Sequence, residues 1–184
     1  MSIQLCLLVP ENAHELFQLI LKNKIYLEQW FEWARQVKSE SDILNFISTS
    51  RCYELGIWVD GSLIGGAGFH EINWDHLSVE IGGWVAEEYQ QKGIAKKSMQ
   101  ALMAYAFLEY KLNRVEGLTR VDNQQARALV EDLGFAFEGI QREGQRLGGQ
   151  FYDVACYSFL ARDFHVTGDE ACVQLAKQIP HCSH

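Results

Sequence analysis

Six residues in mid-chain, Gln90-Gln91-Lys92-Gly93-Ile94-Ala95, have the makings of a turn that holds a phosphate or pyrophosphate. Before them Val79, Ile81 and Val85 alternate with Ser78, Glu80 and Trp84, the pattern of a strand buried on at least one face. After them Ile94, Ala101, Tyr105, Leu108 and Leu112 recur at helical spacing. A strand that enters a helix through such a turn leaves N–H groups without intrahelical partners at the positive end of a helix dipole, where an anion satisfies them. Gly93 lets the backbone approach that anion closely. Lys92, Lys96 and Lys97 add a local positive field, although Lys97 reads equally well as a surface lysine on a solvated helix face. The spacing is neither G-x-G-x-x-G nor G-x-x-x-x-G-K-[ST], so a dinucleotide fingerprint and a P-loop are both excluded.

The elements that must position this turn follow from the rest of the chain. Residues 3–9 read as a first strand stopped by Pro10, with Asn12 capping a helix striped by Leu16, Phe17, Ile20 and Leu21. Residues 26–34 concentrate Leu27, Trp30, Phe31 and Trp33, aromatics that suit a core face and equally the wall of a pocket. Ser39-x-x-Asp42 has the form of a capping box ahead of Ile43, Leu44, Phe46 and Ile47. Asp60-Gly61, between strands at 53–59 and 63–71, is the strongest hairpin signal, and Gly65, Gly66 and Gly68 predict a bulge or a close backbone approach. His70 and His76 fall around the loop before the central strand, with no second His or Cys at metal-ligand spacing.

Beyond the central strand and helix, residues 114–121 read as a strand parallel to the central one, completing a right-handed βαβ unit. Residues 123–133 form a helix capped near Asn123 and ended at Gly134. Strands at 135–143 and 151–161 make a last hairpin around residues 144–150, with Gly148-Gly149 in the turn. Near the C-terminus Cys172, Leu175, Ala176 and Ile179 share one face of a short helix that Pro180 ends, and this helix docks on the body or on a second subunit. His181-Cys182-Ser183-His184 reads as a disordered tail.

The totals narrow the class further. A chain of 184 residues with 48% apolar content suits one globular domain and a tail. A net charge of −8 argues against nonspecific binding to nucleic acid or an anionic membrane, whose phosphates would be repelled. Cys6, Cys52, Cys156, Cys172 and Cys182 are odd in number and contain no C-x-x-C pair, so neither a disulfide framework nor a metal site is expected. With no basic leader and no run of roughly 20 apolar residues, the simplest location is the cytoplasm.

The motif Gln90-x-x-Gly93-x-Ala95, preceded by Gly82-Gly83-Trp84 and followed by Val121-Asp122-Asn123-Gln124, resembles the acetyl-CoA motif of the GNAT N-acetyltransferase superfamily. The closest likeness is to the RimJ/RimL-type branch, which acetylates protein N-termini, and it spans residues 3–164. The resemblance implies an α/β fold of the α+β type: a central mixed, twisted sheet of six to seven strands flanked by helices, with its parallel pair splayed where the cofactor enters. Residues 1–164 would be the acetyltransferase domain and 165–184 an extension. Acetyl-CoA would be the cosubstrate, held by Gly83, Trp84, Val85, Gln90, Gln91, Lys92, Gly93, Ile94, Ala95, Lys96 and Asn123, without a metal. Helices between the first two strands would wall the acceptor site, and some relatives pair as homodimers.

Acetyl transfer to an amine needs a neutral nucleophile, a polarised carbonyl and a proton for the departing thiolate. Glu80 is the first candidate for general base, since alternation sets it opposite Ile81 and beside the glycine pair. Glu143, at the end of the penultimate strand, is the second. Relatives carry a Ser or a Tyr that serves the thiol, where this chain has Ala126 and Val130; Tyr152 and Tyr157 are the substitutes on offer. The acceptor is then a protein N-terminal amine, such as that of a ribosomal protein. A small amine (a polyamine or an aminoglycoside) is the alternative, and a silent acyl-CoA-binding module is the reading from another class.

Overall fold

The computed structural model describes residues 2–49, 53–164, 170–177 and 179. Seven strands form one sheet in the order β1-β2-β3-β4-β5-β7-β6. They are β1 (Ile3–Leu7), β2 (Tyr53–Val59), β3 (Ser62–Asn73), β4 (Ser78–Val85), β5 (Arg114–Arg120), β6 (Ala136–Leu147) and β7 (Gln150–Leu160). All neighbours are antiparallel except β4 and β5. That pair is joined by α5 (Ile94–Leu108), as the βαβ pattern predicts. The parallel pairing runs only from Ser78↔Arg114 to Glu80↔Glu116, while both strands continue for several residues. Beyond Glu80 no strand among the described residues therefore lies beside this edge of β4, which is the expected splay.

Two cores sandwich the sheet. On one face α5 buries Ile94, Leu102 and Tyr105 against Phe69, Val79, Ile81 and Val115. The short α7 (Glu170–Ala176) closes this core with Leu175 and Ala176, joined by Ile179, so the C-terminal helix docks on the body. Pro180 and the four residues after it, read as a stop and a tail, lie outside the described residues, as does Cys52. On the other face α1 (Ala13–Lys22), α2 (Lys24–Trp30), α3 (Glu32–Gln36) and α4 (Glu40–Thr49) bury Leu16, Ile20, Leu27, Ala34, Val37 and Ile43 around Leu63. The α6 helix (Gln124–Asp132) follows β5.

Local chemistry explains several boundaries. Asp60 and Gly61 take φ of 49° and 85°, the left-handed pair of a type I′ turn. The expected bulge in β3 falls beside Gly65, where the register against β2 shifts between Ile57 and Trp58. Asp42 Oδ2 accepts from the N–H groups of Lys38 and Ser39, fixing the start of α4.

Three expectations are corrected. Asn12 bonds no N–H of α1; its Oδ1 accepts instead from Val9 N at 3.0 Å, stapling a 3-10 turn ahead of the helix. His70 is not in a loop but inside β3, which runs on to Asn73 past an irregularity between Phe69 and Ile72. The region expected as a loop over residues 144–150 is mostly strand. Gly148 and Gly149, with φ of 57° and 86°, make a two-residue turn, so β6 continues to Leu147 through a bulge between Gln141 and Gln145. Among the described residues no helix is long and apolar enough to cross a membrane.

Candidate active site

The β4–α5 junction has the geometry its sequence predicts. After a 3-10 turn at Glu87–Tyr89 the chain is extended at Gln90, left-handed at Gln91 (φ 58°) and left-handed again at Gly93 (φ 75°), and α5 begins at Ile94. Such changes of hand turn successive N–H groups toward one concavity. Among the described residues no protein acceptor is found for the N–H groups of residues 91–95, and a β-carbon at Gly93 would meet nothing within 4 Å. Lys92 lies over the Tyr89 ring at 5.0 Å, beside the turn. Lys96 pairs with Asp132 of α6 at 2.6 Å, so much of its charge is already neutralised and the local field falls to Lys92 and Lys97. Gln90 faces backward, with Nε2 donating to Val85 O at 3.2 Å, which braces the turn against the end of β4.

Gly83 is exposed on the β4 edge that β5 has left, packed so closely on β3 that an added β-carbon would lie 2.6 Å from Gly66 O. Trp84 points to the opposite face, its ring centroid 6.2 Å from that of Trp33, which stacks on Phe31. Only the main chain of Trp84 and of the buried Val85 can therefore face the splay. Asn123 caps α6, its Oδ1 accepting from Ala126 N at 3.1 Å, which leaves the amide nitrogen as the group to bond elsewhere.

On the face turned toward α1–α4, Glu80 stands beside His70, with Oε1 3.6 Å from Nδ1. The imidazole covers Gly82, where a β-carbon would lie 2.4 Å from His70 Cε1. Glu54, Gly68 and Gly82 lie in register across β2, β3 and β4, so Glu54 joins the same cluster. Burial pushes the Glu54 carboxyl above its ordinary pKa, against the pull of His70. Burial also disfavours charge on His70, but the neighbouring Glu80 carboxylate and the charge of Glu54 outweigh it and raise the pKa above the ordinary 6.5. Glu54 escapes sequence inspection because its partners come from other strands; the one signal is a carboxylate within an otherwise apolar strand.

Glu143 is not brought to this cluster. It sits exposed in the β6 bulge with φ 54°, its N–H donating to Asp153 Oδ1 at 2.8 Å, rather than at a strand end. Glu80 is level with Glu116 and hence with Ser158, so the step along β7 to Asp153 alone is roughly 16 Å. The two tyrosines are also engaged. Tyr157 is buried and donates to Glu131 Oε1 at 2.8 Å while accepting from Arg127 Nε. The Tyr152 ring lies under the Arg120 guanidinium at 3.6 Å.

Helices α1–α3 are tied to the turn and to the last hairpin. Lys22 Nζ donates to Glu88 Oε1, and Glu87 N donates to the buried Asn23 side chain at 2.9 Å. At the other end Arg120 bonds Gln29 O, Gln145 Nε2 donates to Trp30 O, and Gly148 N donates to Glu32 Oε2. Among the described residues no group of three or more His, Cys, Asp or Glu could hold a metal ion.

The comparisons with known proteins agree with this geometry. Residues 3–136 match the model of the acetyltransferase (GNAT) domain. The Bacillus subtilis protein YdaF, provisionally named a ribosomal N-acetyltransferase, is 35% identical over 166 residues, which is 86% of this chain and 91% of the relative. The ribosomal-protein-serine acetyltransferase of Escherichia coli is 31% identical over 85% of this chain and 92% of its own length. The solved structure of RimL, a ribosomal L7/L12 alpha-N-protein acetyltransferase in complex with coenzyme A, overlaps with a TM-score of 0.85 at 26% identity, covering 89% of this chain and 97% of that one. A domain model spanning most of the sheet, relatives aligned along nearly their whole length and a close overlap with a solved structure converge on one assignment: the chain belongs to the GNAT family and is an acetyl-CoA-dependent N-acetyltransferase.

Proposed function

We propose that the protein transfers the acetyl group of acetyl-CoA to the N-terminal α-amine of a protein, such as a ribosomal protein, by direct attack within a ternary complex. The observation that carries this is the departure of β5 from β4 just past Glu80: it opens one edge of β4 next to the N–H groups of residues 91–95 and leaves Glu80 on the acceptor-helix face. The residues fit the cosubstrate, since the turn offers N–H groups with no acceptor among the described residues and Gly93 clears their approach. In this reading residues 91–95 hold the diphosphate, with Lys92 and Lys97 adding charge. The free edge at Gly83, Trp84 and Val85 lies along the pantetheine arm, and Asn123 bonds it from α6.

Glu80 removes the proton of the acceptor amine, directly or through one water. N–H groups of the strand near Gly82 polarise the carbonyl. With Ala126 and Val130 at the positions of a general acid, and Tyr152 and Tyr157 engaged elsewhere, water protonates the thiolate. An acceptor with a basic N-terminal region suits a chain of net charge −8. Residues 1–164 carry the reaction, and 165–184 are an extension that docks through α7.

The experiment is release of free CoA from acetyl-CoA in the presence of ribosomal-protein N-terminal peptides, polyamines and aminoglycosides. Peptides are expected to give the highest kcat/KM, and Glu80→Gln to lower kcat about 100-fold with acetyl-CoA affinity unchanged. A preference for free polyamines or aminoglycosides would replace the acceptor. Tight acetyl-CoA binding without turnover of any amine would make the protein a binding module.

A further inference from the structure

We propose that His70 is the proton exit of this active site: it receives the proton that Glu80 removes from the acceptor and delivers it to solvent, with Glu54 stabilising the imidazolium in between. The inference rests on Glu80 as the base and goes beyond it. Three strands bring the groups together: Glu54 from β2, His70 from β3 and Glu80 from β4. Nδ1 lies 3.6 Å from Glu80 Oε1, one small torsion or one bridging water short of a hydrogen bond. The Glu80 side chain is 27% exposed and that of His70 43%, so the ring connects a half-buried carboxylate to water. Gly82 under the ring keeps this place open, because any side chain there would expel it.

The step balances. An N–H bond of the acceptor ammonium breaks as an O–H bond forms on Glu80. That O–H bond breaks as the Nδ1–H bond forms, the imidazolium then loses a proton to water, and proton exchange through water returns the ring to the tautomer with Nδ1 unprotonated. The neutral amine attacks the thioester, the C–S bond breaks, and the second amine proton reaches the CoA thiolate through water. One proton leaves per turnover, and His70 is neutral again.

His70 must be neutral to accept, so kcat/KM falls as the pH drops through its pKa, which the two carboxylates raise. Among the described residues the charged groups acting on it are Glu54 on β2 and Glu80 on β4. Glu116, beside Glu80 on β5, is held by Arg114.

The test is the profile of kcat and kcat/KM from about pH 5.5 to 9 for the full chain and for His70→Gln, Glu54→Gln and Glu80→Gln, with acetyl-CoA affinity by calorimetry. His70→Gln is expected to lower kcat at neutral pH about 10- to 100-fold, to flatten the acidic limb and to leave acceptor KM within about twofold. Free imidazole should restore part of the rate. Glu54→Gln should move the acidic limb to lower pH by up to about one unit, because it removes a charge that favours the imidazolium. This variant carries the test even if His70→Gln does not fold. A wild-type rate and limb in His70→Gln, or an unmoved limb in Glu54→Gln, would overturn the relay. If Glu80→Gln is impaired and the His70 and Glu54 variants are not, the relay alone fails; a fully active Glu80→Gln would remove the base itself.

Discussion

His70 occupies the space that a side chain at residue 82 would need: a β-carbon on Gly82 would fall 2.4 Å from His70 Cε1. The central strand is thus thinned for two reasons, one on each side. Gly83 lets β3 approach, and Gly82 seats an imidazole beside Glu80. Gly82→Ala should push the ring away from the strand, lowering turnover about tenfold or more while acetyl-CoA binding, which we propose uses the free edge of the strand, is retained. Because the ring is 43% exposed and can swing aside, the stability cost should be small. Steady-state kinetics beside a calorimetric titration with acetyl-CoA check both halves.

At Gly93 the constraint is different, since the position has open space but a φ of 75°. Gly93→Ala should therefore cost about 1 kcal/mol through backbone strain and, by putting a methyl group where the anion approaches the backbone, weaken acetyl-CoA binding only a few-fold. Gly93→Glu adds a carboxylate where the diphosphate is expected, and acetyl-CoA affinity should fall at least about 100-fold. Equal affinities for the two variants would remove the diphosphate from this turn.

Where the sequence predicts well, the cause is local. Asp60-Gly61 is legible because a type I′ turn needs two left-handed residues, and Asn123 because a capping oxygen must precede a helix. The turn from Gln90 to Ala95 is legible because a change of period and a glycine coincide there. The cluster of Glu54, His70 and Glu80 is not, because its members meet only through the register of three strands, one with a β-bulge. Glu143 misleads for the same reason: a glutamate before a glycine-rich segment looks like a strand end, and only the pairing of Gln145 with Tyr152 shows that β6 continues past it. Asn12 has the right type and place for a cap, yet the 3-10 turn started by Pro10 takes its side chain first.

Acid sensitivity should centre on the far edge of the sheet. Arg114 forms two hydrogen bonds with the Glu138 carboxylate, which also accepts from Ser158 Oγ at 2.7 Å. Together, and led by Arg114, these partners hold the Glu138 pKa down from 4.5 to about 2. A folded-state pKa below the unfolded one adds stability that is present above 4.5 and is lost as the pH falls toward 2. Because Glu138 is 42% exposed, solvent screening reduces this contribution to about 1 kcal/mol. Glu138→Gln should lower the melting temperature by about 2–4 °C at pH 7, and the difference from the parent should shrink as the pH approaches 2. A gap independent of pH would mean that the carboxylate charge contributes nothing.

The proposed acceptor wall depends on Arg120, whose side chain is only 8% exposed although it ends the strand. Its guanidinium forms two hydrogen bonds with Asp122, donates to Gln29 O at the end of α2, stacks on Tyr152 and lies 5.1 Å from the centre of the Trp30 ring. One cation therefore joins β5, β7 and α2, next to the point where Gln145 and Gly148 of the last hairpin reach α2 and α3. Asp122 is 59% exposed and stays hydrated without its partner, so the loss in Arg120→Leu should come mainly from the stacking and from the unmet carbonyl of Gln29. About 2–3 kcal/mol of destabilisation is expected. With α2 released, the acceptor KM should rise several-fold while acetyl-CoA affinity is unchanged, because residues 91–95 are braced separately through Gln90, which bonds Val85 O. Arg120→Lys keeps the charge but not the planar stack, so it should recover little of the acceptor KM. Full recovery by lysine would show that charge alone holds the wall in place.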